Sequence, residues 1–208
     1  MGEPVWLRER KKSETRQAIS AAALDLAVTH GPAAITVYDI AAAANVSCRT
    51  VFNYFPNKEA AILGVDPDRR NELLERLERR PADEPPLTAF LSASQGFFTH
   101  DIAVLWRTRA QLARDHSQLH SAYLASFSTF EEDLTDAIAR RVGVDPAVDP
   151  YPRLLVAVAT TAMRVAVGHA LEEHRHLTIA ESMAATFAVV AACLPAPPPT
   201  IPPTDAGN

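Results

Sequence analysis

Three helix starts crowd into residues 36–58, and they limit what this chain can fold into. Thr36 is an N-cap with Asp39 three residues on, and Ile35 and Ile40 can staple across it. Ser47 opens a second helix, with Val46 and Val51 at the same offset, and Asn57 caps a third that begins at Lys58. Between these starts, "VYDIAAA" (37–43) is predicted as a short helix. Ala44-Asn45-Val46 is a tight turn in which Asn45 takes the left-handed conformation. Pro56 ends the helix begun at Ser47, because a residue before proline is pushed out of helical geometry. Upstream, residues 13–30 put Ile19, Ala23, Leu26 and Ala27 on one face and stop at Gly31-Pro32. Two short helices joined by a tight turn and braced by a longer first helix make a helix-turn-helix.

Beyond Gly64 the pattern changes. "DPDRRNELLERLERR" (66–80) reads as an exposed helix with Glu72–Arg76 and Glu75–Arg79 pairs, and "PADEPP" (81–86) as a linker. Apolar stripes follow over 87–98, 101–114 and 117–142, then an almost wholly apolar helix over 152–173 and a last helix over 178–194. The fold class is therefore all-α. Residues 1–60 form a basic arm and a three-helix domain, 61–194 a C-terminal helical bundle, and 195–208 a Pro-rich tail expected to be disordered. With 48% apolar and 22% charged residues, the balance is that of a globular protein. No apolar run reaches bilayer length and the N-terminus lacks a signal-peptide core, so the expected location is the cytoplasm, without membrane attachment. Cys48 and Cys193 are expected to be separate, reduced thiols.

The net charge of −5 is uneven, with +1 over residues 1–60 and −6 over the remainder. That asymmetry points to a polyanion partner at one end. On the helix after Ser47, Val51 and Phe55 turn inward. Cys48, Arg49, Phe52 and Asn53 occupy the opposite arc, flanked by Thr50 and Tyr54. An Arg, an amide, hydroxyls and an outward ring suit major-groove base edges and the thymine methyl better than they suit water. Lys58 and Thr36 stand at helix starts where a phosphate is favoured, with Val37 and Ser47 beside them. Arg8, Arg10, Lys11 and Lys12 precede the first helix, as a flexible arm following phosphates would. Double-stranded DNA is the expected partner.

These residues resemble the TetR family of bacterial repressors, whose signature runs through "ITVYDIAAAANVSCRTVFNYFPNKEA" (35–60). The resemblance implies phosphate contacts from Thr36, Thr50, Tyr54 and Lys58, and base contacts around Cys48, Arg49 and Asn53. It also implies a homodimer through the helices near 152–173 and 178–194, and a small-molecule effector held in the bundle. Asn45 stands where the family has Gly, Ala27 where it has Phe, and Phe52 where it has Tyr. Phe97, Phe98, Trp106, Phe127, Phe130 and Met163 are candidate effector contacts, although stripes at this spacing also serve as ordinary core. Arg164 either pairs with an acid, sits at a wet edge, or meets an anionic effector.

Enzyme chemistry has no support in the chain. Asp115-His116-Ser117 are successive residues that do not face one another on a helix, and His116 and His120 lack the glutamate of a zinc motif. No metal or cofactor is expected, and His174 and His176 read as solvated. The reading is a ligand-responsive dimeric transcriptional regulator, a repressor that binds a palindromic operator and is released by a small-molecule effector. Its alternative is a helical small-molecule-binding or enzymatic module whose N-terminal unit no longer reads DNA.

Overall fold

The computed structural model describes residues 5–97, 99–172 and 177–193. Among the described residues the secondary structure is helical: α1 (Val5–His30), α2 (Val37–Ala43), α3 (Cys48–Tyr54), α4 (Lys58–Leu63), α5 (Pro67–Glu78), α6 (Pro86–Ser94), α7 (His100–Asp115), α8 (Ser117–Val142), α9 (Tyr151–Ala170) and α10 (Ile179–Cys193). No helix among them is long and apolar enough to cross a membrane. The tail 195–208, Phe98, His174 and His176 lie outside the described residues.

The local signals hold where they are strongest. Thr36, Ser47 and Asn57 are the N-caps of α2, α3 and α4, each accepting a bond from the backbone three residues on. Asn45 adopts φ 53° and closes α2 in a Schellman turn, with Asn45 N donating to Ala42 O and Val46 N to Ala41 O. Gly64, at φ 63°, ends α4 in the same way.

Two expectations need correction. The basic run Arg8–Lys12 is not an arm before the first helix but part of α1. Between Val5 and His30 there is no Gly or Pro to break a helix, and Arg10 pairs with Glu14 one turn on at 3.3 Å. The helix at α5 is not simply exposed. Its charged pairs form, Arg76 to Glu72 at 2.5 Å and Arg79 to Glu75 at 2.8 Å, while Leu73 and Leu77 are buried at the same i,i+4 spacing.

The chain divides into two compact units, 1–70 with 104–130 and 71–103 with 131–208, a division that differs from the boundary drawn at residue 60. The reason is visible in the first core. Ile19, Ala23, Ala27, Ile40, Val51, Phe55 and Ile62 from α1–α4 are joined by Ala113 of α7 and Leu119 of α8. In the second unit, α9 and α10 pack together, Ser182 Oγ donates to Ala166 O at 2.8 Å, and the rings of Phe90 and Phe187 stack at 6.0 Å. Leu134 and Ile138 of α8 are also buried.

Candidate nucleic-acid interface

The face opposite the α3 core residues is open. Val51 and Phe55 are buried, whereas Arg49 and Asn53 are exposed and Phe52 keeps 56% of its surface in water. Cys48, Thr50 and Tyr54 are half-buried along its edges, and Cys48 packs against the core as a free thiol. Tyr38 of α2 was not singled out from the sequence, yet it is 77% exposed. It shares the solvent-facing side of α2 with Asp39, opposite the buried Ile40 and Ala41.

Thr36 is more committed than expected. Its hydroxyl donates to Asp39 Oδ2 at 2.7 Å while accepting from Asp39 N, and its own N–H donates to Asp39 Oδ2 at 2.8 Å. The Thr36 hydroxyl, then its backbone N–H, holds the Asp39 carboxyl below the usual range. Thr36 is a cap first, and a phosphate would have to compete for its proton. Ser47 and Thr50 similarly share a hydroxyl–hydroxyl bond of 2.8 Å, and Ser47 Oγ accepts Thr50 N.

Lys58 departs furthest from expectation. Instead of extending from the start of α4, its ammonium donates to Pro32 O at 2.8 Å and Ile35 O at 3.0 Å, bracing the loop between α1 and α2. An ammonium carries three donors, so one is left for a phosphate. Lys58→Met should therefore destabilise the fold itself, by about 1–3 kcal/mol in a urea titration, since it strips a charged donor from two carbonyls. An unchanged midpoint would mean that the loop bonds are dispensable to the fold.

Two arginines that periodicity did not single out hold the helices together. Arg16 of α1 donates through Nη1 to Tyr54 O at 3.0 Å and Val65 O at 3.1 Å, and pairs with Asp66 at 3.6 Å. Arg109 of α7 donates to Ile62 O at 3.1 Å and to Ser20 Oγ at 2.9 Å, while Ser20 donates on to Ala61 O. Burial, with a smaller push from Arg69, lowers the Arg109 pKa to about 10, so it stays charged at neutral pH. One sequence signal did exist for Arg16: positions 16, 19, 20, 23 and 27 share a helical face, so a cation there needs partners.

The basic residues of α1 are partly engaged, Lys12 with Asp68 at 3.2 Å and Arg10 with Glu14. Of the candidate effector contacts, Trp106 and Phe127 meet at 6.5 Å, and Tyr123 joins Phe127 at 4.6 Å, all within the first unit. Phe130 of the same unit is half-buried. Phe97 and Met163 belong to the second unit, Phe97 beneath the Arg76 guanidinium at 6.0 Å and Met163 in the core. Arg164 is exposed and bonds only to Thr161 of its own helix, at 3.3 Å, so within the single chain it does not line the interior. A cavity of about 310 Å³ in the second unit is lined by Leu77, Arg80, Ala137, Arg140 and Arg141. Of its arginines, Arg80 pairs with Glu84 and Arg140 with Glu78, while Arg141 donates to the carbonyls of Arg80, Pro81 and Glu84 and leaves its buried Nε without a hydrogen-bond partner among the described residues. Among the described residues no group of three or more His, Cys, Asp or Glu could hold a metal ion.

Comparison with known proteins agrees with this geometry. Residues 19–63 match the family described as "Bacterial regulatory proteins, tetR family", and residues 84–195 match the "MftR C-terminal domain". The HTH-type transcriptional regulator TcmR of Streptomyces glaucescens is 35% identical over 174 residues, covering 76% of this chain and 74% of that protein. The regulator MftR of Mycobacterium tuberculosis (strain H37Rv) is 28% identical over 191 residues, covering 89% of this chain and 93% of the relative. The structure of SmeT, repressor of a Stenotrophomonas maltophilia multidrug efflux pump, superposes with a TM-score of 0.54 at 17% identity, over 91% of this chain and 94% of SmeT, a likeness of fold.

Proposed function

As a member of the TetR family, the chain is a DNA-binding transcriptional regulator and not an enzyme, and we propose that it binds a palindromic operator as a homodimer and is released by a small-molecule effector. The observation that carries this reading is the α3 arc. Arg49, Phe52 and Asn53 stand outward from a helix whose other side is locked into the core. A guanidinium suits guanine, an amide adenine, and a ring the thymine methyl. Exposed apolar residues on α9 and α10, Leu154, Val165 and Val189, fit a face covered by a second copy. Two α3 helices in successive major grooves then demand half-sites about one helical turn apart.

The effector's identity is set by the bundle interior, and release requires only that it prefer the DNA-incompetent arrangement, by about 1–3 kcal/mol. The protein works where the chromosome is, in the bacterial cytoplasm.

Selection from a random duplex pool by the purified protein, followed by affinities at two salt concentrations, tests the proposal. The expected result is an enriched inverted repeat whose binding weakens as salt rises. Weak binding at low salt alone, without enrichment, would reject it and move attention to the helical bundle.

A further inference from the structure

We propose that Arg16 is a positioning residue for operator binding, acting by fixing the end of α3 and the ring of Tyr54. This rests on the DNA-binding role assigned to α3 above.

The argument begins at a weak point of the fold. Tyr54 is the last residue of α3, Phe55 leaves it in extended geometry (φ −138°, ψ 130°), and Pro56 forbids another turn. A seven-residue helix has few internal bonds, and the carbonyls of its last turn lack partners within it. Arg16 supplies one, since Nη1 donates to Tyr54 O. The same guanidinium lies 5.6 Å from the centroid of the Tyr54 ring and 5.1 Å from that of Phe55. It is therefore held against both rings while grasping the backbone between them and α1. Its remaining contacts fall just beyond α4, at Val65 O and Asp66. One planar cation thus ties the chain before α4 and the chain after it to α1.

Arg16 is poorly placed to meet DNA itself. Its side chain is 11% exposed and its charge is matched by Asp66. Tyr54, by contrast, is half-buried, and its hydroxyl has no hydrogen-bond partner among the described residues. A donor left unspent at the edge of the reading helix is what a phosphate oxygen requires, and its reach depends on how firmly the ring is held. Lysine cannot replace arginine here. It keeps the charge but lacks the planar fork that donates to carbonyls while lying against rings.

The test uses the full chain, the operator obtained by selection, the variants Arg16→Lys, Tyr54→Phe and Asn53→Ala with their pairs, and Arg16→Met. Arg16→Lys and Tyr54→Phe should each weaken operator binding roughly ten-fold, with the double variant no weaker than the worse single one. Arg16→Lys combined with Asn53→Ala should instead multiply. The salt slope should stay at the wild-type value, whereas a direct phosphate contact by Arg16 would lower it by about 0.9 on removal of the charge in Arg16→Met. In the DNA-free protein, the Tyr54 ring resonance, identified by its absence in Tyr54→Phe, should shift or broaden in Arg16→Lys. An unmoved resonance, full operator affinity in Arg16→Lys, or multiplying effects of Arg16→Lys and Tyr54→Phe would each overturn the proposal. Failure of the wild type to select any operator would instead reject the DNA-binding reading, and the free-protein resonance would still judge the positioning by Arg16.

Discussion

Gly64→Ala should cost about 2–4 kcal/mol of stability, most of it felt through a residue 45 positions away. Gly64 has φ 63°, a conformation that alone costs an alanine about 1 kcal/mol. A Cβ there would also lie 2.5 Å from Arg109 Cζ and 2.8 Å from its Nη1. The guanidinium is at the end of a flexible chain and can swing away, but only by leaving Ile62 O and Ser20 Oγ without their charged donor in a buried setting. Gly31 provides the control. It too has positive φ, 84°, yet nothing lies within 4 Å of a built Cβ, so Gly31→Ala should cost only the conformational part. The two contributions at Gly64 separate in a cycle. In an Arg109→Met background, urea titration should find Gly64→Ala reduced to about the Gly31→Ala value. An equal cost in both backgrounds would mean that the guanidinium is not what Gly64 accommodates.

The second large effect concerns recognition. Arg49→Ala and Asn53→Ala should each weaken operator binding by about 1–3 kcal/mol and relax preference at one base pair per half-site, while melting temperature stays near wild type because both side chains are exposed. Repeating the selection with each variant reads this directly. If the Arg49 variant recovered the wild-type motif unchanged, the arc on α3 would not be the reading surface, and Tyr38 with the start of α2 would be next in line.

Legibility from sequence followed the range of the interaction. Caps and turns are written within three or four residues, so Thr36, Asn45, Ser47 and Asn57 could be assigned correctly, and α2 begins and ends where the pattern puts it. The identity of partners far apart in the chain leaves no local trace, even where, as at Arg16, the helical face shows that a partner is needed. Arg16 and Tyr54 are 38 positions apart, Arg109 and Ser20 89, and Lys58 and Pro32 26. Lys58 reads as a surface cation because the carbonyls that accept from it, those of Pro32 and Ile35, lie 26 and 23 positions away. Arg8–Lys12 resembles an arm in its charge density, yet no helix breaker separates it from the rest of α1. The effector contacts were least legible, since a helical aromatic stripe encodes burial and not whether the neighbour is protein or ligand.

The winding of that basic run into α1 has a thermodynamic consequence. As extended chain, residues 8–12 could reach about 17 Å, whereas in a helix they cover about 7.5 Å. The lost reach means that α1 cannot thread a groove, but the segment has no folding left to do when it meets a polyanion. Calorimetry of operator binding should accordingly lack the large negative heat-capacity change of a segment that folds as it binds, and whatever phosphates α1 meets are met by a surface already formed.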